Sequence, residues 1–296
     1  MTRSVNDYLL NVSSIRKSFD AAAKEYDQFA VLQHTVTDRL IESFEHIRTQ
    51  PEMILDLGAG TGYGSKKLRK EFKKARIIQV DLSDAMLKKS KTKTYRFFSR
   101  DHFLCADASK IPLPDLSVDL VFSSLMMQWC NDLDAVFSEI RRVLKPGGLF
   151  IFTTFGPDSL KELRESWRVV DDTVHVNVFI DMHDIGDSLM RHNLGSPVLN
   201  IEHLVFTYDS CRDLMLDLKN VGAHNINSGR RKTLTGKNKL NKMIDYYERY
   251  RDNNKLPATY EIIYGHAWRV DEIKDRSTHS ISLNELKQEL NNRKEF

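Results

Sequence analysis

The sequence predicts an α/β protein built on one doubly wound sheet of seven strands, with a helical segment ahead of it and a helical cap inserted before its last strand. Three observations lead there. Short apolar runs alternate with helically spaced segments from residue 53 to residue 155, as in a parallel sheet with helices on both faces. A glycine cluster follows the first run, and acids end the next two, at the strand edge where open α/β sheets bind ligands. A chain of 296 residues with 41% hydrophobic content supplies a sizeable core.

In chain order, residues 13–48 read as helical, because Ile15, Phe19, Ala22, Ala23, Tyr26 and Phe29 recur at three and four and Val36, Leu40, Ile41, Phe44 and Ile47 continue the pattern. Strands follow at 53–57, 76–80, 102–106, 118–122 and 149–155, with helices at 62–72, 83–91 and 132–144. Lys145-Pro146-Gly147-Gly148 marks a sharp turn before the fifth strand. Helices at 157–170 and 181–193 precede a strand at 198–208 and a helix at 214–221, and a further helix runs from about 236 to 251. Residues 257–264 form the last strand. The organisation expected is a helical preface (1–48), a core (49–208), an inserted cap (209–256), the final core strand (257–270) and a charged tail (271–296).

The stretch ILDLGAGTGYG, residues 54–64, places its glycines where a buried strand turns into a helix. A dinucleotide fingerprint fails, since Tyr63 stands where its third glycine belongs. What remains is Asp-x-Gly-x-Gly-x-Gly (Asp56, Gly58, Gly60, Gly62), which lets the backbone pass close to a ligand that need not carry a pyrophosphate. Asp81 ends the second strand about 20 residues on, where an acid accepts both ribose hydroxyls. The third strand ends at Asp107-Ala108, and the fourth leads into Ser123-Ser124-Leu125-Met126-Met127-Gln128-Trp129. Read alone, Asp107 is also a good helix cap and the Met pair good core filler.

No run approaches 18 uninterrupted apolar residues and MTRSVNDY has no apolar signal core, so a soluble cytoplasmic protein without membrane contact is expected. Cys105, Cys130 and Cys211 lie far apart, which favours buried thiols over disulfides or zinc. His175, His183, His224 and His266 match no zinc spacing, and capping or core roles are expected for them. A net charge of +3 does not call for nucleic acid. The charge is uneven, however: Arg230, Arg231, Lys232, Lys237, Lys239 and Lys242 cluster without an acid, and Lys66 to Arg76 form a second basic stretch that reads as a solvated face.

The glycine pattern with its following acids resembles motif I and its partners in class I S-adenosylmethionine (SAM) methyltransferases, of Rossmann-like fold. The segments SFDAAAKEYDQFAVLQ (18–33), LMMQWCNDL (125–133), TTFGPDSLKELRESW (153–167), HVNVFIDMHDIGDSL (175–189), LMLDLKNVGAHN (214–225), LTGK (234–237) and LPATYEIIYGHAW (256–268) look like the malonyl-acyl-carrier-protein O-methyltransferase family of biotin biosynthesis. That likeness covers roughly residues 12–268.

The resemblance implies transfer of a methyl group from SAM to the free carboxylate of a malonyl thioester, on acyl carrier protein or possibly coenzyme A, leaving S-adenosylhomocysteine. It implies cofactor contacts from Phe19, Asp56, Gly58, Gly60, Gly62, Asp81, Leu82, Met86, Asp107, Ala108 and Ser123. The helical preface becomes a lid in which Phe19 and Tyr26 close over SAM, and Gln128 and Trp129 border the sulfonium, although each aromatic could equally be plain core. A carboxylate is ionised at pH 7, about three units above its usual pKa, so neither a general base nor a metal is required. Arg164, Arg168 and Arg230 are candidates for the malonyl carboxylate, with Arg164 preferred. Acyl carrier proteins are acidic, so Arg230, Arg231, Lys232, Lys237 and Lys239 are the expected docking face of a monomer. The rival readings are a complex I assembly-factor type acting on protein arginine, a small-acid or quinone methyltransferase, and a SAM-binding scaffold without turnover.

Overall fold

The computed structural model describes residues 9–94, 101–223, 225, 227 and 236–270. Helices α1 (Val12–Ala22), α2 (Tyr26–Phe29) and α3 (Val31–Glu42) lead into β1 (Met53–Leu57), α4 (Tyr63–Glu71), β2 (Arg76–Asp81), α5 (Asp84–Lys93), β3 (His102–Cys105) and β4 (Val118–Ser124). Then come α6 (Leu133–Val143), β5 (Leu144–Phe155), α7 (Lys161–Arg168), α8 (Met182–Arg191), β6 (Leu194–Tyr208), α9 (Cys211–Asn220), α10 (Lys237–Tyr247) and β7 (Leu256–Arg269). The seven strands form one sheet in the order β3-β2-β1-β4-β5-β7-β6. Neighbours from β3 to β5 are parallel, whereas β7 runs antiparallel to both β5 and β6.

Alternation along the strands divides the core between two faces. Leu55, Leu57, Val121, Phe150 and Phe152 join Val136, Phe137 and Ile140 of α6 and Ile185 and Leu189 of α8. Ile54, Leu120, Phe122, Leu149 and Ile151 join Leu40 of α3 and Leu68 of α4. A third cluster binds α7, α9 and α10 to β7 through Leu163, Trp167, Leu214, Met243, Tyr247, Tyr260 and Ile262. The helices between β6 and β7 thus bury their apolar sides against the sheet's last strands and α7.

Several boundaries differ from expectation for local reasons. The helical preface breaks into three pieces at Ala23–Glu25 and Ala30, where no glycine or proline announces a turn. The turn at 145–148 is absorbed into β5 as an irregularity between the pairs Val118–Leu144 and Leu120–Leu149. Helix α7 starts four residues late because β7 claims the preceding backbone: Gly156 N–H and Leu160 N–H donate to the carbonyls of Glu261 and Thr259, and Asp158 N–H donates to the Glu261 carboxylate. Helix α9 begins earlier than periodicity indicates, since Ser210 and Asp213 form a reciprocal capping box. Of the three thiols expected to be buried, Cys211 is buried, Cys130 half-buried and Cys105 exposed. The tail 271–296 lies outside the described residues, and among those described no helix is long and apolar enough to cross a membrane.

Candidate active site

The turn after β1 bends under the end of β2. Gly58, Gly60 and Gly62 all hold positive φ (82°, 53° and 81°), a region that other residues enter only with strain. The N–H groups of Gly58 and Ala59 donate to the Val80 carbonyl, which hangs the loop on the neighbouring strand. A Cβ at Gly60 would meet nothing within 4 Å, so this glycine opens onto free space.

Asp81 fixes that loop. Its Oδ2 accepts from Gly60 N–H at 2.8 Å and its Oδ1 from Ser83 N–H at 2.8 Å. Burial pushes its carboxyl up to about 6 despite those two donors, which favour the anion. Asp56 is buried deeper, 2% exposed, and accepts from Ser65 Oγ at 2.6 Å. Burial, opposed by that bond, raises it to about 7. Asp107 turns one oxygen to the N–H and hydroxyl of Ser109, at 2.9 and 2.8 Å.

The preface folds across these strand ends. Asp20 accepts from Ser83 Oγ at 2.6 Å, and Asp27 accepts from Thr61 Oγ1 at 2.5 Å and pairs with Lys93 at 2.6 Å. Tyr26 is raised above the usual phenol range by burial and then by the charges of Asp81 and Asp27. Phe19 stands edge-on to Trp129, with ring centroids 5.2 Å apart. Ser18 Oγ donates to the Gly222 carbonyl at the end of α9, and Asn131 exchanges two hydrogen bonds with the backbone of Leu10.

Together these elements enclose a cavity of about 1110 Å³. One lobe is lined by the glycine loop, Asp81, Leu82, Met86, Asp107 and Ala108 and is covered by Phe19 and Tyr26. It continues past Gln128 and Trp129 into a second lobe walled by Phe155, Trp167, His175, Phe206, Tyr208 and Tyr260. The volume exceeds the roughly 300–1,000 Å³ usual for a single small ligand. The first lobe could hold a nucleoside through its acids, and the second combines its aromatic rings with polar groups, among them Asn177, Asn225 and Asp217 beside Tyr208.

Four residues expected at the site do not line this cavity, Arg168 among them. Ser123 is fully buried and its Oγ donates to the Leu57 carbonyl at 2.9 Å, so it ties β4 to β1, while Ser124 lines the wall. Gly62 faces α5, where a Cβ would stand 2.0 Å from Ser90 Oγ. Arg164 spends its guanidinium on the carbonyls of Pro157 and Ser159, at 2.7 and 2.5 Å, and burial lowers its pKa. Arg230, Arg231 and Lys232 lie outside the described residues. Lys237 is exposed, whereas Lys239 pairs with Asp171 at 2.8 Å.

His175, expected to cap or pack, instead forms part of the wall of the second lobe. Its signal in the sequence was the alternation Asp171-x-Thr173-x-His175 in a stretch assigned to no element, since alternate residues of an extended chain share a side. Asp158, His203 and Glu261 bring one ligand atom each within 4.8 Å of one another, but Glu261 already accepts from Asp158 N–H and none of the three lines the cavity.

A sheet in this order with an antiparallel seventh strand, a glycine turn under its first strand and an acid at the end of the next define a class I SAM-dependent methyltransferase. A methyltransferase domain model matches residues 55–152. In fold, the chain is similar to the YcgJ protein of Bacillus subtilis, with a TM-score of 0.59 at 15% identity, covering 80% of this chain and 99% of that one. It is 43% identical to the malonyl-acyl-carrier-protein O-methyltransferase of Nitrosospira multiformis, over 89% of this chain and 91% of that protein. With the corresponding protein of Methylovorus sp. it shares 46% identity, over 88% and 90%. The chain belongs to the malonyl-acyl-carrier-protein O-methyltransferase family.

Proposed function

We propose that this protein esterifies the free carboxylate of malonyl-acyl carrier protein with the methyl group of SAM, at the start of biotin synthesis. Similarity to its relatives over about nine-tenths of both chains carries this reading, because a match of that length reaches well beyond the methyltransferase domain at residues 55–152. In this reading Asp81 accepts the ribose hydroxyls, Asp107 takes the adenine amino group, and Gly58 and Gly60 let the loop approach the amino-acid end of the cofactor. Phe19, Tyr26, Leu82, Met86 and Ala108 close around it, and Gln128 and Trp129 border the methyl group.

The chemistry asks little of titratable groups. The carboxylate oxygen attacks the methyl carbon, the carbon–sulfur bond breaks, and its electron pair stays on sulfur. No proton moves, so alignment at about 3 Å and exclusion of water are the main contributions of the protein. No step needs a metal. A cytoplasmic monomer fits this role, with the basic residues 230–242 meeting an acidic carrier.

Intact-mass spectrometry of malonyl-carrier protein, after incubation with the protein and SAM, tests the proposal against acetyl-carrier protein and malonyl-coenzyme A. A gain of one methyl group on the malonyl carrier is expected. No gain on any malonyl thioester, with SAM still bound, would remove it.

A further inference from the structure

The second lobe holds a polar arrangement that the reaction as described does not use. The His175 ring lies flat on Trp167, centroids 3.8 Å apart and planes within 7°, and its side chain is 14% exposed. Its Nε2 lies 2.8 Å from Asp171 Oδ1 and 2.8 Å from Thr173 Oγ1. Asp171 is itself held on several sides, with Lys239 Nζ on its Oδ2 at 2.8 Å and the N–H and hydroxyl of Thr173 on its Oδ1. Burial alone would raise this carboxyl, but the bonds from Lys239, Thr173 and His175 outweigh it and hold Asp171 well below the usual carboxylate range. A fixed anion therefore faces Nε2. The other ring nitrogen, Nδ1, makes no hydrogen bond among the described residues, and the ring forms part of the cavity wall.

We infer that His175 is the residue that binds the substrate's free carboxylate in the second lobe, through Nδ1–H of an imidazolium whose Nε2–H is anchored on Asp171. The inference rests on the proposed malonyl chemistry and names the group that recognises it. An anion entering a lobe walled by aromatic rings needs a charged donor, because leaving it unpaired is costly. Arg164, the candidate drawn from the sequence, has its Nη groups on backbone carbonyls. A single N–H also suits the reaction better than a guanidinium fork. It engages one carboxylate oxygen and leaves the second free to attack the methyl carbon, whereas a bidentate clamp would draw density from both.

The same arrangement discriminates substrate from product. The malonyl group enters as an anion and meets the imidazolium, which Asp171 and, behind it, Lys239 hold in place. The methyl ester that leaves is neutral and no longer forms an ion pair. Asp171 and Lys239 are positioning residues here: Asp171 accepts from Nε2–H and favours the imidazolium that also carries Nδ1–H, and Lys239 holds Asp171.

The test uses the full chain loaded with S-adenosylhomocysteine, with malonyl-pantetheine and its methyl ester as probes, alongside steady-state turnover of malonyl-carrier protein. H175F keeps an aromatic ring on Trp167 but removes the donor, and H175Q keeps an uncharged donor. Wild type should bind the acid at least about tenfold tighter than the ester, as expected for one charge-assisted hydrogen bond. H175F should lose that preference and raise KM about 10- to 100-fold, with a smaller change in kcat and unchanged affinity for S-adenosylhomocysteine. H175Q, with an uncharged donor, should fall between wild type and H175F in both the acid-over-ester preference and KM. If wild type methylates the malonyl carrier and H175F does so with the same KM and the same preference for acid over ester, His175 is not the carboxylate's partner while the proposed function stands. If wild type neither binds nor methylates any malonyl thioester, both fall together.

Discussion

Phe19 of α1 meets Trp129, just beyond β4, edge-on, with ring planes at 89°. The pair belongs to a small apolar cluster with Leu10, Ile15 and Leu82, separate from the main core, and both rings line the cavity. The preface is therefore fastened to the chain just beyond β4, at the point where the proposed reading puts the cofactor's sulfur. F19A should raise the Kd for SAM about 2- to 13-fold, the equivalent of one aromatic pair, while lowering Tm by only a few degrees because no main-core contact is lost. Calorimetric titration with parallel thermal melts checks this, and a Tm collapse with unchanged affinity would make the pair merely structural.

Asp81 gives the cofactor site a predictable pH dependence. Its carboxyl is raised to about 6 by burial, and in the proposed reading the two ribose hydroxyls donate better to its ionised form. As pH falls through 6 the empty site takes up a proton that binding must displace. SAM affinity should thus be flat above about pH 7 and weaken toward tenfold per unit below pH 6. D81N should bind weakly at every pH and lose the slope; an unchanged slope in D81N would assign it to another group.

Much of the fold was legible because sheet-building leaves strong local marks. The period-2 strands and the glycines with positive φ are each dictated by a backbone need that one segment expresses alone. Faces were harder. Ser123 and Ser124 are adjacent at the end of β4, and a one-residue step sends one into the sheet and the other to the cavity. The breaks at Ala23–Glu25 and Ala30 are set by what lies across from the preface, as Asp20 reaches Ser83 and Asp27 reaches Thr61. Such long-range partners leave no trace in local periodicity, and the same is true of Arg164 and the carbonyls it meets.

Gly60 and Gly62 share a conformation but should fail differently. An added methyl at Gly62 would stand 2.0 Å from Ser90 Oγ and 2.9 Å from its Cβ, behind the site, so G62A should lower Tm clearly. At Gly60 a Cβ meets only open space on the cavity side, so G60A should cost about 1–2 kcal/mol of left-handed strain yet weaken SAM binding by an order of magnitude or more. Melts and titrations on the two variants separate these outcomes, and equal affinity loss in both would contradict the geometry.

Asp56 links the site to overall stability. Its carboxyl is raised to about 7 by burial, so between about pH 4 and 7 the native chain keeps a proton that the unfolded chain has released. The native state binds more protons across that window, and this group's contribution to stability falls as pH rises. D56N, which can still accept from Ser65, should remove that component, so its Tm advantage over wild type should be larger at pH 8 than at pH 5. A constant difference would mean that Asp56 ionises in the folded protein as freely as in the unfolded one.

Arg164 should prove structural. Its two Nη groups cross-brace the turn at Pro157 and Ser159 that delivers the chain from β5 to α7, next to the carbonyls claimed by β7. R164A would leave those carbonyls without their charged donor in a half-buried turn and should cost about 1–3 kcal/mol, read as a lower Tm or denaturation midpoint. KM for malonyl-carrier protein should stay within about twofold of wild type, since the side chain does not line the cavity. R164K, which cannot span both carbonyls with a planar fork, should recover only part of the stability. A large KM increase in R164A at unchanged Tm would return the carboxylate to this arginine and take it from His175.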